Sequence, residues 1–223
     1  MMKKLGLFFT LITLIGCSNK ESGTCVNSAL YGYVNICLPQ IKGMTECSAH
    51  PTIQLITQPY LTSGPVLGYY LNNETYKQID QFKSGETTYN DYFMIYGDYQ
   101  RENYQATQSD LELMQQNLEL TLFETANFEQ ISTRIEEAYG TVTPGRPALI
   151  EKYSPQDNVL TMIVLIKYQN ETGELTVVSA VDCILIKKRL ITLAYYIAYN
   201  GGSSIESIKQ KNNEAVKRLI ETN

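Results

Sequence analysis

The chain has no tryptophan, one histidine and no C-x-x-C pair. A single imidazole excludes any site that needs two, and with it a His-rich metal cluster. The missing C-x-x-C counts against a redox catalyst or a zinc ribbon. H-E-x-x-H, a Walker loop, G-x-G-x-x-G and an EF-hand loop are also missing, so the sequence implies no cofactor and no metal. Seven Pro and 14 Gly in 223 residues are too few for a low-complexity chain. With 43% hydrophobic and 18% charged residues the composition is globular, which excludes disorder, collagen and coiled coil as the main state.

What is present begins at the N-terminus. Lys3 and Lys4 precede an apolar run of eleven residues, Leu5 to Ile15, broken only by Gly6, Thr10 and Thr13. A bilayer crossing takes roughly 20 apolar residues, so this run has the form of a secretory signal peptide and is set aside from the fold. It ends in Leu14-Ile15-Gly16-Cys17. These four residues resemble the lipobox of bacterial lipoproteins. The resemblance implies a diacylglyceryl group on the Cys17 thiol, cleavage before Cys17, and acylation of the new amino group. Two or more acyl chains anchor stably where one binds marginally. The alternative is an ordinary cleaved signal with an incidental cysteine. Ser18 resembles the sorting position of outer-membrane lipoproteins. The polar stretch from Ser18 to Thr24 reads as a flexible tether.

The expected division is therefore a signal peptide over 1–16, a lipidated cysteine and tether over 17–29, and one domain over 30–223. Without the two Lys of residues 1–16, 16 basic side chains face 23 acidic ones, a net of −7. An acidic body has no electrostatic footprint for nucleic acid, and an anionic membrane surface would repel it. Attachment then falls to acyl chains on Cys17, with an envelope protein or cell-wall component as the expected partner. The one dense basic run, Lys187-Lys188-Arg189, lies between strand-like segments and reads as a solvated hairpin turn.

Cys25, Cys37, Cys47 and Cys183 remain after the lipobox. Export implies an oxidising compartment, where an even number suggests disulfides. Four cysteines allow three pairings, and the crowding of Cys25, Cys37 and Cys47 favours one local bridge. Cys183 reads equally well as a small apolar core residue.

Alternation from Tyr31 to Leu38 predicts one half-buried strand stopped by Pro39. Ile53 to Ile56, Val66 to Leu71 and Tyr92 to Tyr96 read as further strands. Ser109-x-x-Glu112 is a capping box, followed by Leu111, Met114, Leu118 and Leu122 on one helical face. Phe128, Ile131, Ile135 and Ala138 repeat that spacing and predict a second helix, ended by Gly140. Ala148 to Tyr153, Leu160 to Tyr168, Leu175 to Ile186 and Leu190 to Tyr199 are strand-like, and their short connections predict an antiparallel meander. Ser203-x-x-Glu206 then opens a last helix with the stripe Ile205, Ile208, Val216, Leu219 and Ile220. The class is α+β, an antiparallel sheet with a C-terminal four-strand meander covered by helices.

The early strand ending in Leu38-Pro39, the late meander and the apolar-striped C-terminal helix resemble the PsbP-like α/β/α sandwich. That fold occurs in a photosystem II extrinsic subunit, a yeast nuclear import factor and small bacterial lipoproteins. The resemblance covers most of residues 30–222, rests on element order, and transfers no functional residue. The fold hosts binding and accessory roles and is not diagnostic of one function.

Candidate chemistry is sparse. His50 is the sole imidazole for any nucleophilic dyad, and its position before Pro51 reads as an exposed loop. Asp182 sits in the apolar run Val177 to Ile186, on the face shared by Val178, Ala180, Ile184 and Ile186. A carboxylate there is expected to meet a Lys or Arg, or to reach the sheet rim. Glu136 and Glu137 read as a solvated helix face. Tyr89, Tyr92, Tyr96, Tyr99 and Tyr104 crowd one stretch and form a candidate binding surface. The reading is a non-enzymatic envelope binding module. Its competitor is a hydrolase whose carboxylates the fold brings together.

Overall fold

The computed structural model describes residues 25–58, 61, 64–81, 91–123, 143–170 and 173–223. The signal segment, Cys17, Tyr89 and the helix expected around Phe128 to Ala138 lie outside these residues. The class is α+β with a large antiparallel sheet. The first strand among the described residues is β1 (Asn27–Tyr31).

Tyr31 to Leu38 is not one strand. β1 turns at Gly32-Tyr33 and returns as β2 (Val34–Leu38), pairing Tyr31 with Val34. Both turn residues are left-handed, Gly32 at φ 52° and Tyr33 at φ 64°. That is the geometry of a two-residue hairpin turn. Gly32 is required twice over, because a Cβ there would overlap the Glu102 carbonyl. Ile53 to Ile56 is not a strand either. It lies in α1 (Pro51–Thr57), where Pro51 takes the first turn and His50 caps it, Nδ1 accepting from Thr52 N–H. Proline at the first helical position has no N–H to waste, so it starts a helix well.

The main sheet runs β3 (Met44–Glu46), β4 (Val66–Asn72), β5 (Tyr92–Tyr96), β10 (Arg189–Ala198), β9 (Gly173–Ile186), β8 (Val159–Asn170), β6 (Thr143–Pro144), with β7 (Ala148–Tyr153) also paired to β8. The expected meander is β7 to β10, antiparallel throughout. Short α2 (Asn73–Tyr76) follows β4.

α3 (Gln108–Phe123) starts two residues earlier than a cap at Ser109 suggests. The box is Thr107-x-x-Asp110: Asp110 Oδ2 accepts from Thr107 N–H (2.7 Å) and from its hydroxyl (2.6 Å). α4 (Gly202–Glu221) is capped by Gly201, not Ser203. Ser204 instead accepts from Asn200 N–H at 2.9 Å.

The sheet is covered on both sides. On one face Val178, Ala180, Ile184, Leu193 and Ile95 pack with Ile208, Ala215, Val216 and Leu219 of α4, and with Tyr31, Ile36 and Leu38 of the hairpin. On the other, Ile53 of α1 packs with Tyr69, Leu71 and Met94, and Leu111 of α3 packs with Leu160 and Cys183. Burial of two faces is why β9 reads as a near-continuous apolar run.

Candidate functional site

Asp182 is the most unusual group in the core. Strand alternation puts it on the α4 face, level with Thr161 of β8 and Leu193 of β10. It is fully buried, with 0% exposure. The expected Lys or Arg partner and the expected opening at the rim are both wrong. Its Oδ1 accepts instead from the Thr161 hydroxyl (2.6 Å) and from Asn212 Nδ2 (3.0 Å). Burial pushes the carboxyl up to about 7, against the pull of those two donors. The sequence contained a signal for the partner. Asn212 lies four residues after Ile208 and four before Val216, a polar residue in the middle of the apolar stripe, and it too is 0% exposed.

Beside this trio, Tyr153 donates to Asn213 Oδ1 at 2.9 Å, and burial with the nearby Asp182 raises its phenol to about 12. Lys209 sits over the Tyr153 ring at 5.2 Å and pairs with Glu151 at 2.7 Å. The cluster is well made, but α4 seals its carboxyl from solvent.

The cysteines divide. Cys25 and Cys37 form the one local bridge the spacing favoured. Cys47 and Cys183 are free, buried thiols in separate clusters, so the second pair that an even count suggested does not form. Burial pushes Cys47 up to about 12 and Cys183 to about 11. Cys183 behaves as a core residue between Leu111 and Leu160. Cys47 and His50 do not make a nucleophilic dyad. The Cys47 thiol donates to the Tyr69 carbonyl, while His50 caps α1 and faces Asp80 at 3.3 Å.

The tyrosines are not one surface. Tyr92 stacks between Tyr69 (5.4 Å) and Tyr196 (4.7 Å) on the sheet face shared with α1, and Tyr96 packs in the same cluster. Tyr99 and Tyr104 are exposed on the loop after β5. Tyr104 donates to Asp110 at 2.8 Å, which holds the phenol above its ordinary value, while the Thr107 hydroxyl and N–H, with Tyr104 after them, hold the Asp110 carboxyl below its own.

Only part of the basic run is solvated. Lys187 and Lys188 form the β9–β10 turn, both exposed and both left-handed, and Lys187 reaches the Asn35 carbonyl at 2.9 Å. Arg189 is buried. It donates to Gly32 O through Nη2 (2.6 Å) and Nε (3.2 Å), and through Nη1 to Tyr104 O (3.0 Å) and Lys188 O (3.1 Å). The residue tucks back to hold the first hairpin and the loop before α3.

An open cleft of about 820 Å³ lies where the loop between β2 and β3 meets the C-terminal half of α4. Leu38, Ile41, Met44 and Tyr70 supply apolar lining, and Lys42, Glu46, Glu214 and Arg218 supply charges of both signs. Glu46 is already engaged, its Oε1 accepting from Ser48 N–H (2.9 Å) and Tyr69 N–H (3.3 Å). Asp182 does not line this cleft. Nothing in sequence periodicity marked it, because loop, strand and helix contribute from distant positions. Among the described residues no group of three or more His, Cys, Asp or Glu could hold a metal ion, and no helix is long and apolar enough to cross a membrane.

The chain matches no protein-family model and no curated protein. Two solved structures are similar in outline. The crystal structure of the Saccharomyces cerevisiae Ran-binding protein Mog1p is 11% identical, over 88% of this chain and 94% of that one, with a TM-score of 0.39. A point mutant of Mog1 has the same identity and coverage with a TM-score of 0.37. Scores this low assign neither family nor function.

Proposed function

We propose that this protein is a lipid-anchored bacterial cell-envelope lipoprotein whose body is a non-enzymatic binding or accessory module. The observation that carries the reading is the Cys25–Cys37 bridge, eight residues downstream of the lipobox cysteine. Disulfides form and persist outside the reducing cytosol, so the bridge agrees with export. The −7 charge of the mature chain leaves attachment to acyl chains on Cys17. Ser18 favours the outer membrane, with the body facing the periplasm.

Eight Cα steps separate Cys17 from Cys25, so the tether spans at most about 29 Å. Val26 and Asn27, the next two residues, line the cleft, so its rim adjoins the end of that tether. The cleft is the seat proposed for an envelope protein or cell-wall component. A sheet covered by α4 and the hairpin on one face, and by α1 and α3 on the other, supports the finer reading of a PsbP-like α/β/α sandwich. A hydrolase would need two carboxylates open to substrate. Asp182 is sealed beneath α4, and the two carboxyls that do line the cleft, Glu46 and Glu214, face Lys42 and Arg218 there, a mixed-charge lining that favours binding.

Cys17→Ser should abolish fatty-acid labelling and release the protein from membranes. A variant that stays membrane-bound and equally labelled overturns the anchor. Lys42→Glu combined with Arg218→Glu should lose the material that co-purifies with the wild type. Unchanged co-purification removes the cleft from the reading.

A further inference from the structure

Two oxygens beneath α4 lack a donor. Asp182 Oδ2 and Asn212 Oδ1 are both buried and both without a hydrogen-bond partner among the described residues. They belong to the two side chains already joined by the Asn212 Nδ2–H···Oδ1 Asp182 bond of 3.0 Å. Leaving two buried acceptors bare is costly, and native cores rarely do so. An ionised carboxylate cannot relieve either one, because it has no proton to give. One proton on Asp182 Oδ2 turns that oxygen into a donor and Asn212 Oδ1 into its acceptor.

We propose that Asp182 is held as the neutral acid in the folded protein and pairs reciprocally with Asn212, each side chain donating once to the other, so that a single proton clamps α4 to β9. The planar carboxyl and the planar carboxamide have matching donor and acceptor edges. Thr161 completes the set, its hydroxyl donating to the oxygen that carries no proton.

The surroundings fit a neutral group. Leu193 flanks Asp182 across β10, and Thr161 flanks it across β8. On β7 and α4 the titratable groups of this cluster are Tyr153, which feels the Asp182 charge, and the pair Glu151 and Lys209 beside it. Lys209 is bound to Glu151 through both carboxylate oxygens, at 2.9 and 2.7 Å, so it is spoken for. Cys183 follows along the strand but points to the opposite face, with Leu111. No cation among the described residues forms an ion pair with Asp182 to stabilise its charge.

The sign of the pH dependence follows. Burial raises the carboxyl from its ordinary 3.8, the value an unfolded chain restores, to about 7. Below the lower value both states hold the proton and the clamp contributes fully. Between the two, unfolding releases a proton, so the folding equilibrium constant falls by up to about tenfold per pH unit. Above 7 the charge is present in both states and the loss levels off.

The test compares the full chain with Asp182→Asn, which keeps the shape, donates to Asn212 Oδ1 and cannot ionise. Denaturant titrations from pH 4 to pH 8 should show the steep decline in the wild type and a much flatter profile in the variant. Equal slopes overturn the proposal. Because the variant could fail to fold, the carbon-13 shift of the wild-type Asp182 carboxyl gives a second decision. It should be that of an acid at pH 6, and a carboxylate shift at that pH overturns the clamp. Neither readout depends on lipidation or on the cleft.

Discussion

Two neighbouring strands each bury an ionisable group, and they solve the problem in opposite ways. On β10, Arg189 keeps its charge. Three backbone carbonyls surround the guanidinium and accept four hydrogen bonds, with no carboxylate in an ion pair among the described residues. On β9, Asp182 meets two donors and one bare acceptor, and burial drives it toward neutrality. Five N–H donors in a rigid fork can be satisfied by carbonyls of turns, which point many ways. A carboxylate in the middle of a sheet has few donors to call on, because the strand N–H groups are already paired. Location decides the outcome: the turn supplies loose backbone dipoles and the sheet interior does not.

Breaking the arginine side should have the larger effect. Arg189→Met leaves the Gly32 and Tyr104 carbonyls short of donors and frees the hairpin from the loop before α3. The expected loss is at least about 3 kcal/mol in urea unfolding. Arg189→Lys sharpens the point. It keeps the charge but loses the fork, so a cost of about 2 kcal/mol is expected in the same measurement. If Lys restores full stability, charge alone holds the hairpin.

Thr161→Val probes the other side with a smaller change. It removes one donor to Asp182 at similar volume, at a cost of about 1 kcal/mol. Since the Thr161 hydroxyl favours the ionised carboxyl, its removal should move the Asp182 titration further upward. A downward move, read from the carboxyl resonance, would show that Thr161 favours the neutral form.

The same contrast governs what the sequence revealed. Runs rich in Val, Ile, Leu and Tyr, bounded by turn residues, located β7 to β10, and two-sided burial makes the run in β9 nearly continuous. The position of Asp182 on the core face followed from alternation. Its partner did not, since Asn212 is thirty residues away on another element, visible only as a break in a helical stripe. Arg189 was taken for part of a solvated turn because its neighbours Lys187 and Lys188 are indeed exposed. Tyr31 to Leu38 looked like one strand because a Tyr at φ 64° is unexpected, and Gly32 was the only residue that hinted at reversal. The cleft left no trace in any local pattern.

Cys37 is held from two directions at once. Sulfur joins it to Cys25, and the Asn223 side chain grips its N–H and its carbonyl, each at 2.9 Å. Mechanical tension arriving from the N-terminal side would therefore bypass β1 and load β2 directly, where the far end of the chain braces it. Stretching the molecule from that side would shear this junction before it could peel the first hairpin open.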